Sequence, residues 1–138
     1  MWNRLKKPIK HLPIIFSETI NHKDQSYNTA GNFWKHPDGR HDVYKISKLP
    51  KGWRAELAVL VHEIVEFQLC KEAGIKEQDI TTFDIESGHP DPGTLKNSPY
   101  FEQHKIATKI EKYIIKELGL IWKEYDSDFE KLRYEKKV

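Results

Sequence analysis

A chain of 138 residues with 38% hydrophobic and 12% aromatic content suits one compact domain, 1–138, around a single core, and leaves no room for a second. Its 23 basic and 21 acidic side chains nearly cancel, and a net charge of +2 gives no field that would make nucleic acid or an anionic membrane the main partner. One cysteine, Cys70, excludes an intramolecular disulfide; with no secretory h-region and no apolar run of membrane length, the cytoplasm is the expected compartment.

Residues 1–13 form a basic arm, broken by Pro8 and Pro13, that is expected to lie across the surface. Over 14–48 a strand and hairpin region is expected. Ile14-Ile-Phe16 is a short apolar run, a strand or an anchor for the arm, and 21–26 reads as a loop. Two aromatic and β-branched runs, Tyr27 to Trp34 and Asp42 to Ser47, frame His36-Pro-Asp-Gly39. Proline presets φ, aspartate caps and glycine accepts positive φ, so an antiparallel hairpin is predicted. Gly31 within its first strand marks a bulge, or lets another backbone approach, as a peptide substrate would by β-augmentation. His11, His22, His36 and His41 lack ligand-like spacing and are expected at the surface.

After Leu49-Pro-Lys-Gly52, a long helix is predicted over 53–73, stopping at Gly74. Its apolar residues occupy several sides, Leu57, Leu60, Ile64 and Phe67 on one and Val61, Val65 and Leu69 on another, the pattern of a helix buried nearly all round. Within this cylinder His62, Glu63 and Glu66 share one sector roughly 100° wide. Buried charges need a cation, a hydrogen-bond network or a water-filled cleft. His62 and Glu66, four apart, can hold one ion from successive turns while Glu63 points beside it, the H-E-x-x-H zinc-peptidase geometry with glutamate in last place. Cys70 on the same helix reads as a small core residue.

Residues 75–80 read as a connector or short helical turn, and Ser87 to Gly93 as a turn-rich loop. Asp84 and His89 are polar groups able to close over the helix, although turn formation is the simpler reading of His89. Ser98-Pro99 signals a second helix over 98–118, with Ile106, Ile110, Tyr113, Ile114 and Leu118 as its apolar centre and Tyr100, His104, Ala107 and Glu111 on the border. A last helix or tail is expected over 122–138, capped at Asp126 or Ser127 and loosely packed, its charges forming a solvated face.

The predicted class is α+β: a small antiparallel sheet, the N-terminal hairpin, packed on the metal-site helix and the second long helix. His62-Glu-Ile-Val-Glu66 on a long helix, after a hairpin and before a helix with His104, resembles the minimal zinc-metallopeptidase arrangement, the zincin-like fold. The motifs Val61 to Glu66, Phe83-Asp84, Asp91-Pro-Gly93 and Ser98-Pro-Tyr100 with His104 also resemble a family of small bacterial and phage proteins, a likeness over roughly 53–125 that implies no reaction. The first resemblance departs from the usual motif in having glutamate for the second histidine.

In this reading His62, Glu66 and His104 hold Zn2+, with Asp84 or Glu111 as alternatives to His104. Asp84 can instead orient a ligating imidazole. Glu63 is the general base and Tyr100 a donor to the oxyanion. The substrate would be a peptide or protein. The alternative is a non-catalytic phage or bacterial accessory protein with a structural metal site or a buried polar network. A di-iron carboxylate bundle is disfavoured because its paired Glu-x-x-His motifs are missing.

Overall fold

Strand β3, His41–Ser47, carries Val43, Tyr44 and Ile46 into the interior and is the middle strand of a three-stranded sheet. The computed structural model describes residues 11–133; the basic arm lies almost wholly outside them, as do 134–138 at the end of the last predicted helix. Strand β2, Gly31–Lys35, pairs antiparallel with β3 as the turn signal predicts. Strand β1, Ile14–Ile20, runs parallel to β3 on its other side. The sheet is therefore mixed, in the order β1-β3-β2, and the expectation of an antiparallel sheet is corrected.

Residues 21–40, β2 among them, supply the crossover that a parallel pair requires. A buried polar knot fixes the first half of that crossover. The His22 imidazole bonds Ser47 Oγ and Asn28 Oδ1, each at 2.8 Å, and Gln25 Nε2 donates to Lys45 O at 3.0 Å. His22 is thus a core residue, not the surface histidine expected from its polar neighbours.

Helix α1, Trp53–Glu72, lies on the sheet, with Phe67 stacked on Phe33 at 4.3 Å. Its last turns grip the start of β3: Lys71 Nζ and Gln68 Nε2 both donate to the buried Asp42 carboxylate, at 2.8 and 2.7 Å. It is not wrapped all round. Trp53 and Leu57 are exposed, and the covered face holds Ala55, Ala58, Val59, His62, Glu66, Phe67 and Cys70.

Helix α2, Glu77–Ser87, replaces the predicted connector and turn. Only Ile80 on it is buried and no side chain caps its start, so neither periodicity nor capping announces it; Asp84 and Glu77 tie it to its neighbours instead. Helix α3, Phe101–Glu117, begins after Tyr100, while Ser98 accepts the Tyr100 N–H in a preceding turn. Its buried face is Gln103, Ala107, Glu111 and Ile115, and the predicted centre is displaced: Ile110 and Tyr113 are exposed.

Helix α4, Trp122–Arg133, starts earlier than its expected cap and packs firmly, burying Tyr125, Asp128 and Leu132. Lys51 Nζ meets Asp128 at 2.7 Å. The architecture among the described residues is α+β, four helices and a small mixed sheet. No described helix is long and apolar enough to cross a membrane.

Candidate metal centre

Two successive turns of α1 present His62 and Glu66 to α3, which packs against α1, and the small residues Ala58 of α1 and Ala107 of α3 are fully buried. That packing delivers His104. Its Nδ1 lies 2.7 Å from Glu66 Oε2, and His62 Nε2 lies 3.1 Å from the same oxygen. The two rings meet edge to face with centroids 4.8 Å apart. One donor atom from each of His62, Glu66 and His104 falls within 4.8 Å of the others. Ligands of a tetrahedral zinc, at about 2.0–2.2 Å from the ion, stand about 3.3 Å apart, so the spacing fits a small divalent cation.

The charge distribution fits it too. Behind His62, Glu111 Oε1 lies 2.7 Å from Nδ1, and Tyr125 donates its hydroxyl to the other oxygen of Glu111. Behind His104, Asp91 Oδ1 lies 3.1 Å from Nε2. Each imidazole therefore faces carboxylate oxygens from both nitrogens, while a neutral ring has a single N–H. His62 Nδ1 and His104 Nε2 are buried and make no aligned hydrogen bond. Either two buried imidazoliums sit here, or a cation takes a lone pair from each ring.

The titration directions describe that tension. Burial alone would lower His62, but Glu66 and Glu111 outweigh it and hold it well above its ordinary value. Burial is likewise outweighed at His104, which Asp91 and Glu66 raise to about 10. Glu66, despite burial, is drawn down to about 2 by His62 and His104. Glu63 goes the other way, raised well above the usual carboxylate value by burial and by the adjacent Glu66 charge.

Glu63 lies against β2. A Cβ on Gly31 would stand 2.6 Å from Glu63 Cγ and 2.8 Å from its Oε2, so glycine there makes room for this carboxylate rather than for a second backbone. Gly93 does the same for His104: a Cβ would enter the imidazole ring. The group borders a cavity of about 520 Å³, lined by Gly31 and Phe33 of β2, Glu63 of α1, Thr108 of α3 and Trp122 of α4.

Of the residues proposed from sequence, His62, Glu66 and His104 converge and Glu63 stands beside them. Asp84 stays apart: Tyr27 donates to it at 2.9 Å and Tyr100 donates to its other oxygen. Burial raises Asp84 to about 6 against the pull of those bonds. Tyr100, assigned to an oxyanion, is buried with its hydroxyl committed to Asp84; placement by helical projection could not show that partner. Glu111 backs His62 instead of joining the three donors. His89 is exposed at the cavity rim.

Sequence reasoning missed Tyr27, Tyr125 and the contact of Asp91 with His104. Pro92-Gly93 was legible as a turn, but nothing local says that an imidazole fills the space where a side chain would be. No protein-family model, no curated protein and no solved structure matches the chain.

Proposed function

We propose that the protein is a zinc-dependent hydrolase with a zincin-like site, acting on peptide bonds. The observation that carries this reading is the convergence of two imidazoles and one carboxylate beside an open cavity, with a further carboxylate, Glu63, next to them. His62, Glu66 and His104 would hold the ion, and Glu111 and Asp91 would orient the two rings from behind. When bound, a divalent ion polarises a carbonyl, acidifies water and offsets the Glu66 charge that raises Glu63.

Glu63 accepts a proton from water as the water oxygen bonds to the carbonyl carbon, and passes it to the nitrogen as the C–N bond breaks. Support for a peptide comes from β2, which is an edge strand. His36 N–H bonds His41 O and Ser47 N–H bonds Ala30 O, so the main-chain groups of even-numbered β2 residues face β3 and those of Gly31, which lies against Glu63, and of Phe33 face outward; there Gly31 O accepts from Thr29 Oγ1 at 2.8 Å and Phe33 N–H donates to Asn32 Oδ1 at 3.0 Å. An extended chain that replaced the Thr29 and Asn32 side chains along this edge would bring a carbonyl toward Glu63.

The alternative, a structural metal site or polar network, is favoured by the hydrogen bonds that Asp84 and Glu111 receive from three tyrosines. Glu63→Gln separates the two. In the hydrolase it retains zinc and loses activity on a casein or peptide-library substrate by about 10²–10⁴. Unchanged turnover in that variant removes Glu63 from the chemistry.

A further inference from the structure

Outside the cavity, the described residues hold one other group of three side chains with metal-ligand chemistry, His36, Asp38 and His41. It occupies the tip of the β2–β3 hairpin and shares no residue with the inner site. The turn itself builds it. Gly39 N–H bonds His36 O at 2.9 Å with Gly39 at φ +73°, and His36 N–H bonds His41 O at 2.9 Å. Those bonds bring the first and last residues of the turn side by side, with imidazole centroids 5.7 Å apart.

Asp38 is fixed between them. Its Oδ1 accepts the main-chain N–H of Arg40 at 2.8 Å and of His41 at 3.2 Å. The same oxygen lies 3.3 Å from His36 Nδ1, which also accepts the main-chain N–H of Asp38 at 3.1 Å, and Oδ2 lies 2.5 Å from His41 Nδ1. The carboxylate therefore offers one oxygen toward each ring, and donor atoms of all three residues lie within 4.8 Å of one another. Main-chain bonds hold Asp38 in place before any ligand arrives, which lowers the ordering cost of binding. The Arg40 and His41 N–H groups also keep its carboxyl well below the usual range.

We propose that this hairpin tip is a second metal site, in which His36, Asp38 and His41 take one first-row divalent ion such as zinc, nickel or copper. Two imidazoles and one carboxylate select these ions over magnesium and calcium, which prefer all-oxygen shells. Half of the His36 side chain is accessible, as is about a third of His41 and of Asp38, so water completes the shell and the ion exchanges freely. Its affinity is lower than that of the buried centre. Binding clasps the two ends of the turn and stiffens β2, the strand that places Gly31 against Glu63.

The test is calorimetric titration of zinc into the full chain, stripped of metal and free of any histidine tag, followed in parallel by NMR of the imidazole nitrogens. Apart from any tighter step at the inner centre, the wild type takes up one further equivalent in a step that shifts the His36 and His41 resonances and leaves those of His62 and His104 unmoved. Asp38→Asn keeps a carbonyl oxygen for the turn and loses the charge; His41→Ala removes a ligand. Each weakens that step by about tenfold or more, and magnesium does not compete. The step is present whether or not the inner centre binds zinc, so the two readings fail separately. Unresponsive His36 and His41 resonances, or a step of equal affinity in both variants, overturns the proposal.

Discussion

One atom organises the inner site: Glu66 Oε2, within 3.1 Å of His62 Nε2 and 2.7 Å of His104 Nδ1. Without a cation, that oxygen is best served by protonated rings, and His104 is accordingly held at about 10 instead of its ordinary 6.5. The folded metal-free chain prefers the charged ring, so this contribution to stability is complete below about pH 6.5 and disappears as pH climbs through about 10. Zinc reverses the requirement, because ligation needs the neutral ring. Thermal melting from pH 6.5 to 10 should therefore show a falling Tm for chelator-treated protein, with the zinc-induced gain in Tm widening over the same interval. A gain that shrinks with rising pH would mean that His104 does not bind the ion.

At the scale of elements, the centre is an α1–α3 pair backed by α4. Tyr125 on α4 donates to Glu111 on α3, which lies against His62 on α1. Tyr125→Phe leaves the Glu111 oxygen buried without its donor, a cost of about 1–3 kcal/mol, and loosens the ring that Glu111 orients. Denaturant melts should register that loss, and zinc affinity should drop by about tenfold; wild-type affinity in a destabilised variant would make Tyr125 a packing residue alone. The HExxE helix was legible because its message is local: two ligand-type residues four apart in an apolar sequence. Helix α3 was half legible. Its length showed in the sequence, but its inward face carries Gln103, Ala107 and Glu111, and hydrophobic periodicity points to the wrong side when the buried face is polar. Helix α2 hid for a related reason, since a helix with one buried residue and no capping side chain is held by its partners and not by its own composition.

For the whole molecule, α+β character followed from a hairpin signal beside two long helical patterns. The parallel β1–β3 pairing did not, because it depends on where a crossover travels, and the knot fixing that crossover joins His22 to Asn28 and Ser47. The cavity was equally hidden. It is lined by residues of β2, α1, α2, α3 and α4, and the two glycines that admit Glu63 and His104 carry no local mark of that duty. The proposed role of the assembled fold is to hold a divalent ion where an imidazole and a carboxylate of α1 meet an imidazole of α3. Metal analysis of desalted, tag-free protein in a His41→Ala background, which silences the hairpin, tests that claim most directly. One zinc per chain in that background, lost on adding either His62→Ala or His104→Ala while circular dichroism stays unchanged, is the expected result; a folded chain that retains no zinc, or retains it in both variants, would contradict the account.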